Sequence, residues 1–141
     1  MPMVYGAVNA MQQTGFKVNQ FVLQVLKDIW DSGIALPSLP PSENAEIPNK
    51  PHDIATNKQA KINWKRNAVI IHTENNRMAS KRLLLRKTIQ IADKFKDEKS
   101  IYMVYQLDFR GRIYAVPNYL NPQGTDFAKG LLLFSEAYVW L

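Results

Sequence analysis

The chain has 141 residues, 46% of them hydrophobic and 21% charged, with a formal net charge of +6. That length supports one modest domain with its own core, and the lack of a long apolar run argues against a membrane span. There are no cysteines and only two histidines, His52 and His72, so disulfides, thiolate metal sites, a histidine metal cluster and a Ser-His-Asp triad are all poorly supplied. The charge is concentrated. Between Lys58 and Lys99 stand twelve Lys/Arg and four Asp/Glu, while the rest of the chain holds six basic and eight acidic residues. Such a segment fits a polyanion partner, above all nucleic acid, and fits equally a solvated helical face.

In chain order, residues 3–30 read as helical, with Thr14-Gly15 separating an earlier helix that carries Val4, Tyr5, Val8 and Met11 from a later one. The later helix carries Val18, Phe21, Val22, Val25, Leu26 and Ile29 at helical spacing, interrupted or tolerated at Asn19, and ends at Asp31-Ser32-Gly33. Residues 37–51 hold five of the eight prolines, which reads as an extended connector, a spacer rather than a ligand for a proline-reading domain.

The basic segment predicts a helix from Lys58 to about Thr73, with Trp64 near its start and Ile62, Val69 and Ile70 apolar. A break follows at Glu74-Asn75-Asn76, then a second helix over 80–95. Leu84, Thr88, Ile91 and Phe95 form its apolar stripe, opposite a row of Arg82, Arg86, Gln90 and Lys94. Lys81, Arg82, Arg86 and Lys87 are its densest charge and its candidate phosphate contacts.

Ile101 to Leu107 and Arg112 to Val116 alternate as strands and predict a hairpin around Arg110-Gly111, with the glycine at positive φ. Residues 117–126 read as loop, and 131–134 as a short strand or the start of a helix. At the hairpin, Arg110, Arg112 and Tyr114 suit phosphate oxygens, base edges and sugar. They also suit a salt-bridged turn with a core tyrosine. Asp108, beside two arginines, reads as an ion-pair partner rather than a metal ligand. No glycine-rich nucleotide loop is present, and Asp108, Asp126 and Glu136 show no obvious convergence on a metal pair.

"DFRGRIYAV" (108–116) followed by "LNPQGTDFAKGLLLF" (120–134) resembles the D-x-x-G-R region of the single-subunit, phage-type DNA-directed RNA polymerases, a group that includes the mitochondrial enzymes. "NAMQQTGFKVNQFVLQVL" (9–26), "NKP" (49–51) and "NWKRNAVIIHTENNRMASKR" (63–82) resemble other stretches of the same family in the expected order, and "NPQG" leans to the phage branch. The resemblance implies an α+β, mostly helical piece of a right-hand polymerase. Its expected parts are a helical segment (1–36), the Pro-rich connector (37–57), basic thumb-like helices (58–99) and a palm-proximal hairpin (100–141).

It further implies a nucleotidyltransferase that copies a DNA template into RNA from ribonucleoside triphosphates with two magnesium ions. Asp108 and Gly111 shape the motif. Arg112, with Arg110, Tyr114 and Lys129 as neighbours, holds nucleic acid near the growing end, while Lys81, Arg82, Arg86 and Lys87 grip template and RNA–DNA hybrid. The family's magnesium-binding aspartates, nucleotide lysine and sugar-sensing tyrosine belong downstream of this stretch. The expectation is therefore a fragment, truncated at both ends, inactive alone and holding no metal, with a pattern shortened after Ser135-Glu136. The whole enzyme is expected to be a monomer without membrane contact, in the cytoplasm of a phage-infected bacterium or in the mitochondrial matrix. The alternatives are a stand-alone basic nucleic-acid-binding module and an interaction domain whose basic face is merely solvated.

Overall fold

A computed structural model describes residues 2–34 and 36–136; the expected shortening after Glu136 lies outside them. The elements are helices α1 (Pro2–Gln13), α2 (Gln20–Ser32), α3 (Lys58–Phe95) and α4 (Asp126–Gly130) and strands β1 (Gly15–Val18), β2 (Ile101–Tyr102), β3 (Tyr105–Leu107), β4 (Ile113–Ala115) and β5 (Leu132–Phe134). This is the expected α+β, mostly helical chain. Among the described residues no helix is long and apolar enough to cross a membrane. The chain forms two compact units. One draws on the chain up to Asp31 and again from Arg86 onward; the other is Ser32–Leu85.

The first unit is built on a strand that helical periodicity does not reveal. β1 occupies the place where a separator between helices was expected, and pairs antiparallel with β2 on one edge and β5 on the other. Phe16 and Val18 point inward and are buried, while Lys17 between them is exposed. Phe16 stacks on Phe134 with ring centroids 5.3 Å apart. It also forms a core cluster with Met103 and Tyr105, onto which Val8, Met11, Ile101, Ile113, Ala115 and Leu132 pack. Gly15 lies close to Ser135, whose hydroxyl would have to turn aside for a Cβ at this position.

Asn19 does not interrupt the following helix but caps it. Its Oδ1 accepts the Val22 N–H at 3.2 Å and its carbonyl accepts the Leu23 N–H at 3.0 Å. α2 buries Leu23 and Leu26 and ends at Ser32, with Gly33 at φ +67°. Within this unit the end of α3 buries Thr88 and Ala92. Lys27 forms an ion pair with Asp93, which Lys96 also approaches at 3.4 Å. The expected strand 101–107 divides in two. Its in–out alternation holds through Met103 and Tyr105, both buried, but the pairing partner changes from β1 to β4.

The second unit holds the connector and α3 up to Leu85. The expected break at 74–76 is absent: α3 runs unbroken for 38 residues. Asn75 does not end the helix, because its side chain is engaged elsewhere. Its Nδ2 donates to the Ala45 carbonyl and its Oδ1 accepts the Ala45 N–H, both at 2.9 Å. The connector is thus clamped rather than left as a free spacer. Trp64 Nε1 donates to the Pro48 carbonyl at 2.7 Å, and the Lys50 ammonium lies 5.7 Å from the Trp64 ring centre. Ala68 and Leu85 are buried and Trp64, Ile71, Asn75, Met78 and Arg82 half-buried, a row spaced alternately by four and three; Ala60 and Leu84 are half-buried as well. Ile62, Val69 and Ile70, the expected apolar positions, lie on the exposed side. Asn57 caps the helix start, its Oδ1 accepting the N–H groups of Gln59 and Ala60 at 3.1 Å each.

Candidate nucleic-acid interface

β3 and β4 pair as Tyr105↔Ala115, Gln106↔Tyr114 and Leu107↔Ile113. The inner face, Tyr105, Ile113 and Ala115, belongs to the core cluster, and burial pushes the Tyr105 phenol above its usual pKa. The open face carries Gln106 and Tyr114, both exposed. The connection is a tight turn: the Gly111 N–H donates to the Asp108 carbonyl at 3.1 Å and the Asp108 N–H to the Arg112 carbonyl at 3.0 Å. Gly111 sits at φ +76°, the left-handed conformation that a three-residue hairpin loop requires at this position.

Asp108 organises this turn through its side chain. Its Oδ1 accepts the backbone N–H groups of Arg110 at 2.8 Å and Arg112 at 2.9 Å, an Asx turn extended by one further bond. Its Oδ2 lies 3.5 Å from the Tyr114 hydroxyl. The expected ion pair with the arginines does not form, because the carboxylate is spent on backbone N–H groups. Among the described residues neither guanidinium has a carboxylate within salt-bridge range. Both arginines are exposed, and Tyr114 is 40% exposed rather than a core residue. Arg110 lies over the Phe109 ring, 5.2 Å from its centre, and Phe109 is 92% exposed. Phe109 was not singled out in the sequence; an aromatic beside an arginine at a hairpin tip is the signal that points to it.

The other expected contacts are distributed. Lys129 stands exposed on α4, its ammonium 3.7 Å from an Asp126 carboxylate that is itself 96% exposed. Arg86 and Lys87 are exposed on α3 in the first unit, and Lys81 is exposed in the second. Arg82, also in the second unit, is already occupied. Its guanidinium donates to the Pro41 carbonyl at 3.1 Å, to the Glu43 carbonyl at 3.4 Å and to the Asn44 side chain. Among the described residues no three His, Asp or Glu side chains gather into a metal-holding group. Asp108 is committed to the turn and Asp126 stands in solvent beside a lysine, so these residues do not fit the magnesium pair that the resemblance implies.

No family model matches the chain. Its whole length aligns with the DNA-directed RNA polymerase of Enterobacteria phage T3 at 40% identity and with the T7 RNA polymerase of Escherichia phage T7 at 39%. The mitochondrial DNA-directed RNA polymerase of Neurospora crassa matches 96% of the chain at 31% identity. Over the stretch it matches, the chain is similar to single-subunit RNA polymerases of the phage and mitochondrial type. It spans 17% of the length of each of the two phage relatives and 10% of the mitochondrial one.

Proposed function

We propose that the protein works as a DNA-directed RNA polymerase of the single-subunit type, copying a DNA template into RNA from ribonucleoside triphosphates. In this reading the present stretch holds template and RNA–DNA hybrid beside the active site. Identity to phage enzymes over the full chain supports the reaction class. Phage and mitochondrial relatives support equally the cytoplasm of an infected bacterium and the mitochondrial matrix. In this reading the whole enzyme acts as a monomer on magnesium-bound nucleotides.

The observation that carries the local role is the hairpin turn, whose one carboxylate is used by backbone N–H groups so that Arg110 and Arg112 face solvent without a carboxylate partner. Two planar guanidiniums, a tyrosine hydroxyl and an exposed aromatic ring suit phosphate, sugar and base face respectively. Lys129, Arg86 and Lys87, and in the other unit Lys81, act mainly on the backbone charge. Arg82 supports the connector first.

Fluorescence anisotropy of a labelled RNA–DNA hybrid, titrated with the full-length protein at two salt concentrations, tests the role. Arg112→Ala is expected to weaken binding about tenfold and to reduce the slope of log affinity against log salt by about one. Unchanged affinity and slope would remove Arg112 from the interface.

A further inference from the structure

We propose that Gln123 is a positioning residue for the arginine hairpin, its side-chain amide standing in for a third strand on the free edge of β4; this rests on the nucleic-acid reading above. Among the described residues β4 pairs with β3 on one edge only. The outward N–H and C=O of Ile113 and Ala115 would otherwise face water, and a two-stranded ribbon by itself is marginal. Gln123 meets both residues. Its Oε1 accepts the Ala115 N–H at 2.7 Å, and its Nε2 donates to the Ile113 carbonyl at 3.0 Å. One planar amide therefore makes the two bonds that a neighbouring strand would make.

The amide is itself held in place. Asn121 Oδ1 accepts the Gln123 N–H at 2.8 Å, while Asn121 Nδ2 donates to the carbonyls of Ala115 at 3.2 Å and Pro117 at 2.6 Å. The Gly124 N–H closes the turn on the Asn121 carbonyl at 3.0 Å. A Cβ on Gly124 would sit 3.2 Å from that same carbonyl, tight enough to disturb the turn. "NPQG" is thus a folded latch with both its amide side chains turned onto β4. Arg112 precedes β4 and Tyr114 lies within it, so the latch fixes the strand from which both project. Two residues beyond Gly124 begins α4, with Lys129; the same turn therefore sets where that helix departs.

The test uses the full-length protein with Gln123→Met, which keeps the length of the side chain and loses both hydrogen bonds. Amide hydrogen exchange over residues 104–116 should rise by roughly tenfold on losing two bonds, and hybrid affinity should fall by several-fold. If Gln123 acts through Arg112, the double variant with Arg112→Ala binds no more weakly than Arg112→Ala alone. Losses that multiply, or exchange that stays at the wild-type rate, would overturn the proposal. Gln123→Glu keeps the acceptor and loses the donor; it should give an intermediate rise and serves where the methionine variant does not fold. Wild-type affinity in Arg112→Ala would sink the nucleic-acid reading instead, and exchange then judges the latch by itself.

Discussion

Arg112 and Arg82 carry the same guanidinium and stand in opposite situations. At the hairpin the neighbouring backbone has N–H groups in need of an acceptor. Asp108 supplies one, so its carboxylate is withdrawn from the arginines and their charge stays available. On α3 the neighbouring backbone is the proline-rich connector, which is poor in N–H donors and rich in carbonyls without a helix or sheet to satisfy them. Arg82 is spent on two of those carbonyls and an asparagine side chain. Whether an arginine is free for a ligand is therefore decided by what the adjacent backbone lacks, not by local charge density, which is higher around Arg82.

The strongest test of this contrast is at Asp108. If the residue acts as an acceptor for backbone N–H groups, Asp108→Asn keeps a suitable oxygen and should bind hybrid within about twofold of wild type. Asp108→Ala orphans two N–H groups and loosens the turn beneath both arginines. A loss of about tenfold or more in affinity is expected from about 1.5 kcal/mol or more of lost hydrogen bonding to a charged acceptor. Equal losses in the two variants would mean that the negative charge itself matters, and the distinction between free and committed arginines would fail at its clearest point.

The same contrast explains what could be read in the sequence. The hairpin, the positive φ at Gly111 and the end of the helix at Gly33 are local: each depends on residues a few positions apart, and each was legible. β1 was not, because a four-residue strand is defined by partners at 101–102 and 132–134, and Val18 also fits the helical stripe that continues through Phe21, Val22 and Val25. The continuous α3 was hidden for a related reason. Asn75 reads as a helix breaker until Ala45, thirty residues earlier, occupies its side chain. At the site, the family pattern drew attention to Asp108, Gly111 and Arg112. It did not reveal that Asp108 serves the backbone, that Arg82 serves the connector, or that Asn121 and Gln123 brace β4, since hydrogen bonds to main chain leave no charge pattern in a sequence.

Arg82 allows the other side of the comparison to be broken. Arg82→Ala should release the connector around residues 41–44. A cost of about 1 kcal/mol raises the open population roughly fivefold, read as faster proteolytic cleavage in that stretch. Hybrid affinity should change by less than about twofold. Arg82→Lys cannot reproduce a fork reaching three acceptors and should behave more like alanine than like wild type. A large, salt-dependent loss of hybrid affinity with the connector still protected would return Arg82 to the group of free cations.

The smallest effect comes from a committed cation inside the hairpin's own unit. Lys27 is engaged by Asp93, whose carboxyl is held below its usual pKa by the hydrogen bond from Lys27 and, to a lesser degree, by Lys96. The native state thus binds this proton less readily than the unfolded chain. The resulting stabilisation is complete above the ordinary carboxylate range, near pH 4, and is lost as pH falls through the lowered native value. The pair is partly exposed to solvent, so screening keeps the contribution modest. Thermal melts of wild type and Lys27→Met should therefore differ slightly at pH 7, with wild type more stable, and converge as the pH drops well below 4. Raised salt should narrow the gap at pH 7. Hybrid affinity should stay at wild type throughout, because Lys27 is spent on the fold just as Arg82 is. A Lys27→Met variant that melts like wild type but binds hybrid poorly would show that an ion pair in this protein does not take its cation out of reach of a ligand.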